Sequence, residues 1–317
     1  MKCSNCGNNA DNVSKFQKRR NKNFFCNREC YIAYINRDKI DNIDFFKEID
    51  TPEKAYWLGF IVADGNVNKN GFNMQINLNA KDGKHLQKLA DVFGKKVKYT
   101  NYYNKNKGTE YQGVYLCVSS KKLCSDLNSL GMLPNKTDLN QSSILKNIND
   151  KMFPHFVRGI FDGDGSISYS TVRGKFICNT MFCGEKNIMM SLKERLIKSI
   201  GFRDTKDSVV NKLTIIRWGG RRQAYSLNKF MYDSANVFLK RKKHIFDYLS
   251  STKPKSDSNY FGVTKAASGK WNSYIFHNGK RRHLGNFLTS KEAAIVRDRE
   301  YAKLGKSKYK LNFPEGS

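Results

Sequence analysis

Two stretches of the chain carry a short, nearly uninterrupted apolar run that stops on an acid followed by glycine. The first runs from Tyr56 to Ala63 and closes on Asp64-Gly65; the second runs from Phe153 to Phe161 and closes on Asp162-Gly163-Asp164-Gly165. Ahead of the first, Thr51-Pro52-Glu53 offers an N-cap hydroxyl, a proline suited to a first turn and an acid near the positive helix end, so a helix starts there. Polar and glycine-rich residues follow, then Met74, Ile76 and Leu78 alternate with the two-residue period of a half-buried strand. Leu86, Leu89, Ala90 and Phe93 next predict a second helix that ends before Gly94. After the second run the order returns: strand-like residues, then a helix from Met190 to Ile200 ended by Gly201. Asp64 and Asp164 stand 100 residues apart, which predicts an internal repeat with halves at about 51–149 and 150–249.

The flanks have a different pattern. Residues 1–38 contain few apolar positions and two close cysteine pairs, Cys3/Cys6 and Cys26/Cys30. Four thiolates brought together by tight turns close a tetrahedral zinc site, and so small an apolar complement needs the metal to fold. Four sulfur ligands leave no open position, so this zinc is structural. The stretch Phe24 to Tyr31 resembles the second half of a small treble-clef-like zinc finger. Residues 36–50 are mixed in charge and read as a connector, and residues 250–257, rich in Ser, Pro and Asp, as a linker. Beyond it, apolar runs around Tyr260, Trp271–Phe276 and His283–Phe287 predict three strands. Thr289-Ser290-Lys291-Glu292 then offers a capping box for a helix through Leu304, ended by Gly305. This makes a third unit, residues 258–314.

Charge changes the picture from architecture to partner. The 317 residues carry 57 Lys and Arg against 28 Asp and Glu, a net charge of +29. The excess is distributed, at +3 over residues 1–50, +17 over 51–252 and +9 over 253–317. That describes a long contact path for a polyanion, with binding that weakens steeply as salt rises. Lys15, Lys18, Arg19, Arg20 and Lys22 are either phosphate contacts or an ordinary exposed basic loop. No run approaches the roughly 18 apolar residues that span a bilayer. A soluble, cytoplasmic protein is expected, with no membrane partner. Eight cysteines, four of them in one cluster, argue against a disulfide scaffold; Cys117, Cys124, Cys178 and Cys183 read as small buried apolar residues.

The two apolar helices carry the chemistry. In Trp57-Leu58-Gly59-Phe60-Ile61-Val62-Ala63-Asp64-Gly65 and Val157-Arg158-Gly159-Ile160-Phe161-Asp162-Gly163-Asp164-Gly165, small residues recur four apart: Gly59 with Ala63, Gly159 with Gly163. Residues four apart share a helix face, so two such helices can pack backbone against backbone. A mid-helix glycine costs about 1 kcal/mol against alanine, and its presence in both copies calls for such a reason. Close packing brings the two C-terminal ends together, and with them Asp64 and Asp164. Two anions at two negative helix ends make sense with divalent cations between them, and hard oxygens suit Mg²⁺ or Mn²⁺ and phosphodiester hydrolysis. The alternative is that both Asp-Gly pairs are plain turn residues.

On these motifs, residues 51–249 resemble the LAGLIDADG homing endonucleases; Trp57, Val62 and Arg158 depart from the pattern. The resemblance implies an α+β fold of two pseudo-symmetric αββαββα halves, and a monomer that cuts both strands of double-stranded DNA at a long asymmetric site. It implies metal contacts from Asp64, Asp164 and the carbonyls of Ala63 and Gly163. Within Phe238-Leu239-Lys240-Arg241-Lys242 it points to Lys240 as the lysine near the scissile phosphate, and in Leu133-Pro134-Asn135-Lys136-Thr137 to Lys136; simple phosphate anchoring is the other reading for both. Counting back from Leu86 puts Gln75 at a water-ordering strand position. The same count from Leu192 lands on Met181, so the second half is expected to cut more weakly and one strand to be nicked first.

The C-terminal stretch, through Tyr260-Phe261-Gly262-Val263, Trp271, His283-Leu284-Gly285-Asn286-Phe287 and Leu311-Asn312-Phe313, resembles an AP-two/ERF-type DNA-binding domain. That implies a three-stranded sheet in the major groove, with Tyr274 and Phe276 facing Arg281 and His283, and Arg281 as the guanine contact. Phe261 and Thr264 stand where that family carries basic residues, and Trp271 reads as core. The sequence expectation is therefore a metal-dependent DNA endonuclease. A nucleic-acid-binding protein without cleavage, such as an intron maturase or a transcription regulator, is the second reading, and a transposase-like enzyme a third.

Overall fold

The computed structural model describes residues 2–4, 6–9, 23–31, 40–68, 71–104, 108–132, 142–172, 175–202, 204–251, 258, 260–305 and 311–313. Lys136 with its segment 133–137, the basic residues Lys15, Lys18, Arg19, Arg20 and Lys22, and most of the linker lie outside the described residues.

The first repeat runs α1 (Pro52–Asp64), β1 (Gly65–Val67), β2 (Asn73–Asn79), α2 (Gly83–Val92), β3 (Lys98–Asn104), β4 (Thr109–Ser119) and α3 (Lys121–Ser129). The second runs α4 (Phe153–Asp164), β5 (Ser166–Val172), β6 (Lys175–Gly184), α5 (Lys186–Ile200), β7 (Ser208–Val210), β8 (Leu213–Gly219) and α6 (Arg221–Tyr232), with α7 (Lys240–Ser251) following it. Each repeat is thus αββαββα. Each also builds an antiparallel four-stranded sheet of identical order, β1-β2-β4-β3 and β5-β6-β8-β7.

Strand alternation decides the faces. Met74, Ile76, Val114, Leu116 and Val118 point inward and are buried, while Asn73, Gln75, Asn77 and Asn79 occupy the open face. Register shows how closely the repeats correspond: Asn66 pairs with Gln75 and Gln75 with Cys117, as Ser166 pairs with Met181 and Met181 with Arg217. One continuous apolar core joins the two halves across α1 and α4, including Tyr56, Trp57, Phe60, Phe156 and Phe161.

Thr51 caps α1 as expected, its hydroxyl accepting from the Lys54 N–H at 3.3 Å. Two boundaries differ from the sequence expectation. α4 does not stop at Phe161 but carries Asp162, Gly163 and Asp164 as its last turn, because the chain leaves the helix only at Gly165, which is extended (φ −79°, ψ 159°). α5 begins at Lys186, earlier than Met190, because the Glu185 carboxylate caps it by accepting from the N–H groups of Asn187 and Ile188. The polar first turn hid this start from the apolar period.

The C-terminal unit has β9 (Val263–Lys265), β10 (Trp271–His277), β11 (Lys280–Phe287) and α8 (Ser290–Lys303), with strand order β11-β10-β9. Its capping box is formed in both directions, Glu292 N–H to Thr289 Oγ1 at 3.2 Å and Thr289 N–H to Glu292 Oε2 at 3.1 Å. Val263, Ala293 and Ala294 form a small core against which Trp271, Phe287 and Phe313 pack. The side chain of Asn312 holds this end closed through Asp298 Oδ1 at 2.9 Å and the Phe261 carbonyl at 3.2 Å.

Candidate active site

The meeting of α1 and α4 is built on glycine. A Cβ added to Gly59 would lie 2.1 Å from the Phe156 carbonyl oxygen, and one added to Gly159 would lie 2.0 Å from the Tyr56 oxygen and 2.7 Å from the Phe60 nitrogen. The two helices therefore touch through main chain at reciprocal positions. One turn further on, a Cβ on Gly163 would lie 2.4 Å from Ala63 Cβ and 3.0 Å from Asp64 Oδ2. The Asp64 carboxylate thus sits across the end of the opposite helix. Asp64 is half-buried and Asp164 exposed, and both helices end as Gly65 and Gly165 turn into extended backbone.

The lysine that reaches the end of α4 is Lys242, while the expected phosphate lysine, Lys240, stands exposed at the start of α7. α7 starts at Lys240, so its 3.6-residue period turns Leu239, Lys242 and Phe246 inward and leaves Lys240 exposed. The ammonium of Lys242 donates to the carbonyls of Phe161 at 2.7 Å, Gly163 at 2.9 Å and Gly165 at 2.6 Å. It closes off the end of α4, where the Phe161 carbonyl also accepts from the Gly165 N–H at 2.9 Å. Burial lowers its pKa to about 8, against the raising pull of Asp162, Asp64 and Asp164. One lone pair of the Gly163 carbonyl, an expected metal contact, is therefore held by an internal cation.

Asp162 occupies the place that Val62 holds in α1. It is buried and accepts from the Leu239 N–H at 2.7 Å, Tyr56 OH at 2.9 Å and Tyr232 OH at 3.0 Å. Desolvation raises its pKa to about 6 even so. Tyr56 OH also meets His85 Nε2 at 2.7 Å, so one polar chain ties α2, α1, α4 and the segment before α7. Arg158, a departure from the motif, is a buried strut: it donates to the carbonyls of Val237 at 2.9 Å and Met231 at 2.6 Å. No period in the sequence marks these long-range partners.

Each acid opens on its own cleft, and the clefts are unequal. Asp64 faces one of about 600 Å³ whose lining includes Asn77, Asn79, Asp82, Asp162 and Arg241. Asp164 faces one of about 80 Å³ lined by Cys183, Glu185, Ile188, Met189 and Leu213 among others. Gln75 and Met181 hold equivalent places in their strands, as counted. They lie opposite Asn66 and Ser166, and the polar groups that β2 contributes to the cleft beside Asp64 are Asn77 and Asn79.

At the N-terminus the Sγ atoms of Cys3, Cys6, Cys26 and Cys30 all lie within 4.8 Å of one another, with Cys6–Cys26 at 3.6 Å and Cys26–Cys30 at 3.4 Å. Tetrahedral bonds of about 2.3 Å put sulfurs roughly 3.8 Å apart, so the cluster has the dimensions of a zinc site. In the C-terminal sheet Tyr274 pairs with His283 and Phe276 with Arg281, as alternation required. The Arg281 guanidinium lies 3.8 Å from the Tyr274 ring centroid, Phe276 is 58% exposed, and Arg281 and His283 are exposed. Among the described residues no helix is long and apolar enough to cross a membrane.

No family model matches the chain. Among solved structures it is similar to the homing endonuclease I-WcaI bound to its DNA recognition sequence, at 13% identity over 66% of this chain and 90% of that one, with a TM-score of 0.48. It is also similar to the LAGLIDADG meganuclease I-AabMI bound to uncleaved DNA, at 13% identity over 63% and 89%, TM-score 0.42. A third is full-length DUF199/WhiA from Thermatoga maritima, at 15% identity over 68% of each chain, TM-score 0.40.

Proposed function

We propose that the chain is a divalent-metal-dependent DNA endonuclease of the LAGLIDADG homing type, acting as a monomer on both strands of a long asymmetric duplex site. One observation carries this reading: reciprocal glycine contacts bring the ends of two matching helices together, and each end bears an acid, Asp64 or Asp164, in a chain of net charge +29. Plain turn residues would not need helices packed main chain to main chain.

The donor set fits a hard cation. Carboxylates of Asp64 and Asp164 with the carbonyls of Ala63 and Gly163 would hold Mg²⁺ or Mn²⁺, which when bound supplies Lewis-acid charge and a water of lowered pKa. The protein's own groups do the positioning. Lys242 fixes the Gly163–Gly165 backbone and keeps a positive charge beside both acids, where developing phosphate charge gains from it. Asp162 locks α4 to the segment before α7 and so fixes where Lys242 projects. The open face of the first sheet carries Asn73, Gln75, Asn77 and Asn79, suited to base edges, and the terminal units extend the basic path. Cys3, Cys6, Cys26 and Cys30 would hold one structural Zn²⁺. The exposed Arg281, His283, Tyr274 and Phe276 would be the DNA face of an AP-two/ERF-like unit.

The test is cleavage by the full chain with Mg²⁺ of a randomised duplex library, followed by Asp64→Asn and Asp164→Asn on the recovered site. Both variants should still bind that duplex and fail to make double-strand breaks. Normal double-strand cleavage by either would refute the mechanism. Preferential binding of intron RNA, with no duplex cut by the wild type, would favour the non-cleaving reading instead.

A further inference from the structure

We infer that the cleft beside Asp64 takes one nucleobase out of the duplex stack, with Tyr102 and Tyr111 as its stacking platform and Asn77 and Asn79 at its polar edge. This subsite rests on the duplex binding proposed above and adds a ligand class to it.

Tyr102 of β3 and Tyr111 of β4 are direct partners in the antiparallel ladder. Their rings stack, with centroids 5.3 Å apart and planes 20° from parallel. Alternation puts both on the open face of the first sheet with Asn77 and Asn79, because Asn79 pairs with Gly113, two residues from Tyr111. Gly113 supports the pair from below: a Cβ there would lie 2.6 Å from a Tyr102 ring carbon, so the ring lies against bare main chain. Tyr99 has the opposite parity and lies against Gly83 at the start of α2. Stacking does not hide the pair: Tyr102 stays 40% and Tyr111 49% exposed.

The rings are recessed. Tyr102, Tyr111 and Gly113 line the same cleft of about 600 Å³ as Asp64, Asn77 and Asn79, a volume within the roughly 300–1,000 Å³ of small-ligand pockets. Asn79 Oδ1 accepts from the Lys81 N–H at 3.1 Å, which holds its amide in place. A B-form duplex shows a protein only the edges of its bases, since each face is covered by the next base pair. Tyrosine rings at the wall of a cleft offer a face. The matching ligand is a planar base whose own face has been uncovered, and such stacking tolerates any base. The amides of Asn77 and Asn79 carry both donors and acceptors, which complement a Watson–Crick edge once its pairing is released. A base held there also fixes the register of the strand that enters beside Asp64.

The experiment selects a duplex from a randomised library by retention on the full chain with the metal withheld, then walks abasic sites and single mismatches along both strands. Tyr102→Ala should weaken binding of the intact duplex by roughly 5- to 150-fold, the worth of one base–aromatic stack. At one position an abasic site should shrink that loss to within about twofold, because the stack is already gone. A mismatch at the same position should tighten wild-type binding on the order of tenfold, since the pair is then cheaper to open. Tyr102→Phe should bind as wild type, and thermal unfolding of Tyr102→Ala separates loss of the platform from loss of the fold. Equal losses at every abasic position, or no position at which a mismatch tightens binding, would make the tyrosine pair a groove contact and overturn the assignment. Binding without cleavage once Mg²⁺ is added would remove the endonuclease reading and leave this subsite standing; retention of no duplex at all would sink both.

Discussion

Replacing Gly159 with alanine sets two effects of opposite sign against each other. Helix propensity alone predicts a gain of about 1 kcal/mol, since glycine in a helix interior is worse than alanine by that amount. The structure predicts a loss. The new methyl would sit 2.0 Å from the Tyr56 carbonyl oxygen and 2.7 Å from the Phe60 nitrogen, both main-chain atoms of a buried helix. Relieving contacts that short requires α1 and α4 to part by about 1 Å along a face packed with Tyr56, Phe60 and Phe156. Overpacking of this kind costs about 1–3 kcal/mol even where side chains can give way, and here backbone meets backbone. We expect a net loss of about 3 kcal/mol, which for a core of this size lowers the Tm by roughly 6–12 °C. Misplacing the acids by about 1 Å should also slow cleavage on the order of 10²-fold. Thermal unfolding followed by circular dichroism reads the stability term directly. A Gly159→Ala protein as stable as wild type, or more stable, would refute the account of how Asp64 and Asp164 come together. Gly59→Ala, facing the Phe156 oxygen at 2.1 Å, should repeat the loss. Gly163→Ala meets only the Ala63 methyl and the Asp64 carboxylate, so it should cost less stability and still impair cleavage.

Four further outcomes are expected. Burial raises Asp162 to about 6, so between pH 4 and 6 the unfolded carboxyl is ionised while the native one keeps its proton; stability contributed by this group is present below that window and falls as pH rises through it, by about 2–3 kcal/mol. Asp162→Asn should remove that slope in chemical denaturation at pH 4, 5, 6 and 7, and an identical slope in the variant would count against it. Lys242→Met removes the charged donor shared by the carbonyls of Phe161, Gly163 and Gly165, of which Phe161 keeps the Gly165 N–H, and should destabilise by about 1–3 kcal/mol, whereas Lys240→Met should fall within about 0.5 kcal/mol of wild type. Cys26→Ser or a strong chelator should remove one zinc per chain by elemental analysis and weaken duplex binding while leaving the thermal transition of the two-repeat core in place; two zinc ions per chain, or none, would contradict the four-thiolate site. Arg281→Ala should weaken duplex binding and lower its salt dependence, read by fluorescence anisotropy at several salt concentrations.

Local patterns in the chain were enough for much of this architecture. The small-residue spacing at Gly59, Ala63, Gly159 and Gly163 identified a helix pair and its contact face, because which residues share a helix face depends only on their separation. The Cys3, Cys6, Cys26, Cys30 spacing and the Thr289/Glu292 capping box were legible for the same reason. The contrast between the exposed Lys240 and the buried Lys242 shows where such reading stops. A basic run looks alike at every position until the start of α7 fixes the phase, and only then do Leu239, Lys242 and Phe246 turn inward together. Counting placed Gln75 and Met181 at equivalent strand positions, but the distance of each along its strand from the acid depended on where β1 and β5 leave Asp64 and Asp164.

Other features depended wholly on contacts distant in sequence. Asp162 is held by Tyr56, Tyr232 and the Leu239 N–H, 106, 70 and 77 residues away. Arg158, a departure from the motif, finds its acceptors in the carbonyls of Met231 and Val237. The clefts beside Asp64 and Asp164 are unequal because Asn77, Asn79 and Arg241 meet in one and Cys183, Ile188 and Met189 in the other. By itself, the sequence determined two matching helices, each ending in an acid, on a chain charged for a polyanion, since periodicity, spacing and net charge are local or additive. Tertiary structure alone decided which lysine reaches the helix end, which acid is buried and hydrogen-bonded, and which half has the larger cleft, because burial and hydrogen bonding arise between residues that only folding brings together.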